Sequence, residues 1–162
     1  FRASWLNTYV SKNEIKTDSD AASPPSQSNG FSGQTGINFR VRSNLSLGWE
    51  MGDFGLTWTT RYYSGVKESC LTTEIDGFCS LPDYTAPDLA GNISPQNEIG
   101  SNTFHDVQFR WTAPWNATVS VGANNVFEHY SAPMYSNPAS GSAYYGGYDI
   151  GRFLYMQYNQ RF

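Results

Sequence analysis

The chain has 162 residues, of which 16% are aromatic and only 15% are charged, and its formal net charge is −4. This length suggests one domain, and the net charge argues against a nucleic-acid partner because no block of Lys or Arg is present to neutralise phosphates. No apolar run approaches the ~20 residues of a membrane helix, so a helical membrane protein is excluded, whereas a transmembrane β-barrel of alternating strands is not.

The first predicted strand spans about Phe1 to Val10, although Leu6 weakens its alternation of apolar and polar residues. A polar stretch from Ser11 to roughly Ser32 follows and is rich in Asp, Asn, Pro and Gly. Because these residues favour turns, we predict a long loop there.

The second predicted strand, Ile37 to Met51, has the clearest alternation in the chain. At ~3.4 Å per residue, it would be about 48 Å long. Strands of globular proteins usually have 3–10 residues. The predicted length therefore favours a strand that crosses a bilayer and projects beyond it.

Two tight turns, Gly52–Gly55 and Ala113–Asn116, adjoin further alternating segments. The third predicted strand runs from Leu56 to Tyr63, the fourth from Asp106 to Trp111 and the fifth from Ala117 to Asn124. The region between the third and fourth strands is irregular in sequence and is predicted to be a second long loop.

The last predicted strand, Ile150 to Phe162, alternates again and ends on an aromatic residue. Soluble proteins rarely place their last residue in a buried strand, because termini fray. In outer-membrane barrels the last strand pairs with the first, and aromatic side chains lie at the membrane interface. The residues predicted to form a C-terminal barrel-assembly signal are Leu154, Met156, Tyr158 and Phe162.

Long loops alternate with tight turns along the chain, as in outer-membrane barrels with short periplasmic turns and long extracellular loops. This pattern places the loops Ser11–Ser32, Ser64–Thr103 and Phe127–Tyr148 outside the cell and the C-terminus in the periplasm. Aromatic residues are expected to form two girdles, with Trp49, Trp111 and Trp115 near the periplasmic turns and Tyr62 and Tyr63 at the outer ends.

The polar sides of the predicted strands contain large charged residues that suit a water-filled lumen. In lipid every backbone polar group must be paired, and a sheet of six strands leaves two edges open. We therefore expect about the last six strands of a larger barrel, consistent with a chain that starts in mid-pattern at Phe1. The residues predicted to face the lumen are Arg40, Arg42, Glu50, Arg61, Asp106 and Arg110.

The two cysteines, Cys70 and Cys79, lie in a segment rich in turn-forming residues. A disulfide closing so short a loop would stabilise the protein by roughly 2–3 kcal/mol and would imply an oxidising compartment. The alternative is a pair of free thiols. Their spacing fits no common zinc pattern.

Two motifs near the C-terminus carry a family resemblance. Gly122-Ala-Asn-Asn-Val-Phe-Glu128 resembles G-x-x-N-[LV]-F-[DE], and Gly151-Arg-Phe-Leu-Tyr155 resembles the closing strand G-R-x-[FY]-x-[LVM]. These segments are similar to the C-terminal region of TonB-dependent outer-membrane receptors, although Gln160 stands where an apolar or aromatic residue is commoner. The resemblance implies a 22-stranded barrel filled by an N-terminal plug.

The resemblance further implies active, TonB-powered uptake of a scarce substrate, such as a siderophore, cobalamin, a carbohydrate or a peptide. Neither the plug nor the TonB box is in this sequence, so the rest of the barrel and plug would come from upstream chain or a partner chain. The implied partners are outer-membrane lipid of a Gram-negative bacterium, TonB through the absent N-terminal region, and the barrel-assembly machinery.

Loop tyrosines are candidates for ligand contact because they offer rigid, amphipathic contact area, although packing between loops would explain them equally well. No catalytic constellation, metal-ligand set or cofactor motif is recognised, so the chain is not expected to be an enzyme. His105 and His129 would form a metal pair only if the fold brought them together. The candidate ligand-contacting residues are Tyr130, Tyr135, Tyr144 and Tyr145.

The sequence leaves two other functions open. A passive porin-like channel would share the compartment and the strand pattern but would lack a plug. A soluble secreted β-sandwich, such as a lectin, would explain the alternation and a disulfide. It would not explain strands of this length, the asymmetry of the loops or the terminal Phe162.

Overall fold

The protein is an all-β structure in which most strands pair antiparallel, as predicted. The computed structural model describes residues 1–16, 25–33, 36–70, 79–85, 92–131 and 151–161. Every regular element within these ranges is a β-strand. None of them contains a helix long and apolar enough to cross a membrane.

The main sheet has six strands, each antiparallel to its neighbours, in the order β1-β6-β7-β10-β11-β12. The six strands predicted from alternation are therefore confirmed, with bounds that differ by a few residues. They are β1 (Arg2–Tyr9), β6 (Val41–Met51), β7 (Phe54–Tyr63), β10 (Asn102–Ala113), β11 (Ala117–Asn124) and β12 (Phe153–Gln160).

The prediction of one continuous strand from Ile37 to Met51 was wrong. β6 begins at Val41, whereas Ile37 belongs to β5 in a different sheet. The backbone changes sheets between them: the Asn38 amide donates to the Phe31 carbonyl beside the small sheet, whereas the Arg40 carbonyl still accepts from Val10, one step beyond the β1–β6 register. With 11 residues, β6 is about 37 Å long at ~3.4 Å per residue.

The tight turns lie where the sequence placed them. Met51 pairs with Phe54, so only Gly52 and Asp53 connect β6 to β7, and Gly52 has a φ of 57° that glycine adopts without steric cost. The second turn ends at Asn116 with a φ of 58°, a conformation in which Asn is enriched. The Thr112 amide donates to the Asp53 carbonyl, which joins the two turns at one end of the sheet. We call this the turn end and the opposite end the loop end.

Short strands occupy the two long connections that the sequence predicted to be irregular. They form a four-stranded sheet in the order β5-β4-β8-β9, in which β4 and β8 pair in parallel, and a separate β2-β3 pair. These strands are β2 (Glu14–Ile15), β3 (Ser26–Gln27), β4 (Phe31–Gly33), β5 (Gly36–Ile37), β8 (Val66–Ser69) and β9 (Gln96–Ile99). Because these strands are distant from one another in sequence, no local sequence pattern predicts their pairing.

A small hydrophobic core joins the four-stranded sheet to the loop end of the main sheet. Val66, Ile99 and Phe104 are buried together, and Phe39 and Tyr63 pack against them with Ile37. Phe104 is on β10, so the small sheet is anchored on the main sheet itself.

The predicted disulfide between Cys70 and Cys79 is formed. It connects the end of β8 to the segment Ser80–Leu81, where Leu81 bridges to Gln96 of β9 and Ser80 Oγ accepts from the Glu98 amide at 2.7 Å. The disulfide therefore links the end of β8 covalently to a segment that also hydrogen-bonds β9.

Candidate functional site

The strand register sorts the side chains of the main sheet onto two faces of opposite character. Three successive cross-strand rows on one face contain only apolar or aromatic residues, and we call this side the apolar face. The rows are Leu47, Trp58, Val107, Ala123 and Leu154; Trp49, Leu56, Phe109, Val121 and Met156; and Met51, Phe54, Trp111, Val119 and Tyr158.

Most of the apolar face is not covered by any other part of the described structure, although Phe127 packs against Trp58 towards the loop end. Leu154 is 69% exposed and Met156 is 74% exposed, and many of their neighbours in the three rows are also exposed. A contiguous apolar surface of this kind marks contact with a membrane or another protein. The sheet thus presents an unpartnered apolar surface several strands wide.

Aromatic residues concentrate at the turn end of the apolar face. The Phe54 and Phe109 rings stack with centroids 5.9 Å apart, and Trp111 and Trp115 meet edge to face at 5.4 Å. Trp115 Nε1 also donates to the Tyr158 hydroxyl at 3.4 Å. Such amphipathic rings suit a boundary between apolar and aqueous surroundings.

The loop end of the apolar face has fewer aromatic residues than predicted. Tyr62 is on this face, opposite Ser43, but Tyr63 is opposite Arg42 on the other side of the sheet. Its ring lies 5.1 Å from that of Phe39, in the buried core. The assignment of Tyr63 to an outer girdle was therefore wrong, because adjacent strand residues point to opposite faces.

The other side of the sheet, the polar face, brings together five of the six residues predicted to face a lumen. Arg40 is the exception, since it precedes β6 and lies outside the main sheet. That the shared face borders a lumen remains a prediction. The five residues on the polar face are Arg42, Glu50, Arg61, Asp106 and Arg110.

Arg61 and Asp106 form a two-pronged ion pair near the loop end of the polar face. Arg61 Nε donates to Asp106 Oδ2 at 2.8 Å and Nη2 donates to Oδ1 at 2.9 Å. The two side chains are only 13% and 20% exposed, and the guanidinium lies 5.5 Å from the Phe104 ring centre. Asp106 Oδ1 also accepts from the Asn125 amide at 2.8 Å. The pair therefore links β7, β10 and the end of β11.

A second ion pair, Glu50 with Arg110, spans the turn end of the polar face at 2.5 Å. Gly55 lies between the two residues in the same cross-strand row. A Cβ atom at Gly55 would be only 3.3 Å from Arg110 Nε, so the guanidinium lies flat over the glycine. A Cβ at Gly55 would force the guanidinium to move by a few tenths of an ångström, so glycine favours the contact of Arg110 with Glu50.

A side chain also crosses a glycine at Gly122, where Tyr155 lies over it. Gln108, Gly122 and Tyr155 lie in one row, and Gln108 Nε2 donates to the Tyr155 hydroxyl at 3.1 Å across the glycine. A Cβ atom at Gly122 would overlap the tyrosine ring. This contact gives a physical role to the first glycine of one sequence motif and to the last residue of the other.

The two sequence motifs meet at the loop end of β11 and β12. Asn125 has a φ of 50° and fixes the backbone turn that follows β11. Its side-chain oxygen accepts from the His129 amide at 2.9 Å, and its side-chain nitrogen donates to the His129 carbonyl at 2.8 Å. Glu128 forms an ion pair with Arg152 at 3.7 Å, and Phe127 packs 5.9 Å from Trp58. The motifs therefore build one structural junction, which we call the strand junction.

The two histidines have separate partners. His105 Nδ1 hydrogen-bonds Thr60 Oγ1 at 3.0 Å, whereas His129 Nε2 contacts Asn102 Oδ1 at 2.7 Å. No group of three or more His, Cys, Asp or Glu residues that could hold a metal ion occurs in the described part of the chain.

Of the four candidate ligand-contacting tyrosines, Tyr130 alone is within the described residues. It is 60% exposed, and its hydroxyl donates to Glu128 Oε1 at 3.3 Å in the strand junction. Tyr135, Tyr144 and Tyr145 lie outside the described residues, and their role in ligand contact stays a prediction.

The predicted assembly signal is described in part. Leu154, Met156 and Tyr158 lie together on the apolar face, as alternation predicted, and Tyr158 hydrogen-bonds Gln160. Phe162 is outside the described residues, so its role at the end of the strand stays a prediction.

Comparison with known proteins identifies no relative. No family model, no curated protein and no solved structure matches the chain. Evidence on function therefore comes from the geometry of the two faces and from the motifs of the strand junction.

Proposed function

We propose that the chain forms part of the wall of an outer-membrane β-barrel, in the C-terminal region of a TonB-dependent receptor that takes up a scarce solute. One observation carries the proposal: three complete apolar rows face one way across five strands, while ion pairs occupy the opposite face. Lipid on one side and water on the other favour this segregation.

The edges of the main sheet support closure by further strands. Among the described residues, β1 pairs only with β6 and β12 only with β11. Each unpaired backbone group in hydrocarbon costs several kcal/mol, so an open sheet cannot remain in a bilayer. In an antiparallel meander of six strands β1 and β12 run in opposite directions, so their edges suit a closed antiparallel barrel.

Strand lengths also support a membrane-spanning wall. The main strands have 8 to 12 residues, with β1, β11 and β12 the shortest and β10 the longest. A tilted transmembrane strand needs about 9–11 residues. Only short turns connect the strands at one end, while the small sheet and its disulfide lie at the other.

The strand junction supports the assignment to a TonB-dependent receptor. Asn125, Glu128 and Arg152 are motif residues with direct structural partners, so the resemblance extends to residues that fix the path of the chain. On this proposal the receptor carries a siderophore, cobalamin, a carbohydrate or a peptide across the outer membrane, and TonB acts through a region outside this sequence.

The membrane assignment is tested with the intact protein in its native cells. We expect it in the outer-membrane fraction, soluble only in detergent, and migrating faster on SDS gels before boiling than after because a closed barrel resists SDS. The intact polypeptide should also be much heavier than the 18.1 kDa of this sequence. A detergent-free soluble protein of about 18 kDa would instead indicate a secreted β-sandwich.

Active uptake is tested separately by deleting TonB from the same cells. Growth on the scarce substrate should then be lost while the barrel still assembles. Substrate entry that does not depend on TonB, together with ion conductance in planar bilayers, would identify a passive porin-like channel.

A further inference from the structure

The polar face of the main sheet has an excess of positive charge, although the whole chain has a net charge of −4. Its strand residues include four arginines and two carboxylates, a net charge of +2. Arg61 and Arg110 are paired with the two carboxylates. The excess therefore belongs to Arg2 and Arg42, which lie towards opposite ends of the face.

Arg42 lines a pocket of about 220 Å³ between β1, β6 and β7. Thr8 is directly opposite Arg42 in the register, and Asn44 is directly opposite Arg61. All four residues line the same pocket, and the register places their side chains on the polar face. Two arginines, a threonine and an asparagine of three adjacent strands thus border one pocket.

The charges in this pocket are unbalanced. Arg42 and Arg61 are diagonal neighbours across β6 and β7, a position in which like charges repel. Asp106 compensates Arg61 with two hydrogen bonds, whereas Arg42 has no ion pair or hydrogen bond with any residue that the structure describes. Thr8 and Asn44 likewise have no side-chain hydrogen bond within the described ranges. The pocket is therefore rich in unused donors.

We propose that Arg42, Thr8, Asn44 and Arg61 form a binding subsite for an anionic group, a carboxylate or phosphate, of the transported solute. The inference rests on the proposed function, which places the polar face towards the lumen. Arg42 supplies the net charge and a planar fork of donors that matches either oxyanion. Arg61 is held in place by Asp106 and adds positive potential. A lipid headgroup is excluded as the ligand because the pocket opens on the face opposite the apolar rows.

Binding of radiolabelled citrate and radiolabelled phosphate to the intact protein in detergent, measured by equilibrium dialysis at an ionic strength of about 0.15 M, where the Debye length is ~8 Å, tests the subsite. Arg42→Gln should weaken binding of the preferred anion by about 10-fold to 100-fold, the range expected for a lost charged hydrogen-bonding partner. Arg42→Lys keeps the charge but not the fork and should lose less. Tighter binding of one anion identifies a carboxylate or a phosphate as the natural group.

Arg2→Gln is the matched control, because Arg2 is also an unpaired arginine of the polar face but lies outside this pocket. It should change anion binding less than about 3-fold, since distant exposed charges are screened. Equal losses in Arg2→Gln and Arg42→Gln, or unchanged binding in Arg42→Gln, would overturn the subsite. If the protein still forms an SDS-resistant barrel, these two results refute the subsite and leave the proposed function intact. A soluble protein without a barrel would refute the proposed function itself.

Discussion

At the scale of single residues, glycine determines which polar contacts the sheet can form. Arg110 crosses Gly55 to reach Glu50, and Tyr155 crosses Gly122 to reach Gln108. In both rows the bridging side chain crosses over the glycine: a Cβ at Gly122 would overlap the Tyr155 ring, and a Cβ at Gly55 would displace the Arg110 guanidinium by a few tenths of an ångström. Glycine in a strand interior weakens it, so these positions are explained by the close approach of a neighbouring side chain.

Gly55→Val is expected to destabilise the protein by about 1–3 kcal/mol, because it overpacks a buried site and separates Arg110 from Glu50. Gly48→Val is the matched control on the same face, since a Cβ there would make only an ordinary contact at 3.7 Å with Arg2. The midpoint of urea unfolding of the intact protein in lipid vesicles measures both. Equal effects of the two variants would contradict the role given to Gly55.

The two ion pairs of the polar face are expected to differ in strength. Asp106→Asn should cost about 2–4 kcal/mol, because it leaves the poorly exposed Arg61 guanidinium without its counter-charge and weakens the bond to Asn125. Glu50→Gln should cost less than about 1 kcal/mol, because Glu50 is 70% exposed and its pair is screened by solvent.

The free energy of unfolding in the same vesicles distinguishes the two variants. A loss for Glu50→Gln as large as that for Asp106→Asn would show that burial does not set the strength of these pairs. Adding salt should narrow the difference between Glu50→Gln and the unaltered protein, since exposed pairs are screened first.

At the scale of strands, alternation of residue character was enough to predict the main sheet. A period of two residues predicts all six strands and the shared face of Arg42, Glu50, Arg61, Asp106 and Arg110. Turn-forming residues between the strands predict both tight turns. The same period gave a wrong prediction at Ile37, because the alternation continues there although the backbone belongs to another sheet. A local pattern reports which way side chains point but not which strand is the partner.

The ion pairs and the strand junction were beyond prediction for the same reason. Arg61 and Asp106 are 45 positions apart, and their contact depends on the pairing of β7 with β10. The motif spacing located Asn125 and Glu128 without indicating their partners. The contact between the two motifs follows from the strand register, which places Gly122 opposite Tyr155.

Placing a charge on either face of β12 tests the orientation of the strand in the membrane. Met156→Arg should destabilise the barrel by about 2–4 kcal/mol, since it places a charge on the surface proposed to face lipid. Gln157→Arg, one residue further along on the polar face, should have little effect. Unfolding in lipid vesicles measures both, and greater damage from Gln157→Arg would mean that the sheet faces the other way.

At the scale of the whole molecule, the main sheet has two faces of opposite character. The small disulfide-linked sheet is anchored through Phe104 and Tyr63, both on the polar face. The loop-end connections thus pack mainly towards the polar side and leave most of the apolar rows uncovered. On the proposed function, these connections would be extracellular loops that fold over the mouth of the barrel, and further strands would join at the edges of β1 and β12.

Assembly of that barrel is expected to depend on Phe162. Leu154, Met156 and Tyr158 are on the apolar face, so alternation predicts that Phe162 continues the same side of the strand. Phe162→Ala removes the aromatic ring expected at the membrane interface and should lower the amount of SDS-resistant barrel in the outer membrane several-fold. Arg161→Ala, a change of the preceding residue on the opposite side of the strand, should leave that amount nearly unchanged.

Comparing assembly in cells with refolding in vesicles separates recognition from stability in the Phe162→Ala variant. If Phe162 is read by the barrel-assembly machinery, the variant should assemble poorly in cells yet unfold in vesicles at nearly the same urea concentration as the unaltered protein. Losing one interfacial ring costs a few kcal/mol at most, so a purely energetic role would lower the urea midpoint without a selective loss of assembly. Assembly equal to that of the unaltered protein would remove the C-terminal residue from the proposed signal and leave recognition to Leu154, Met156 and Tyr158.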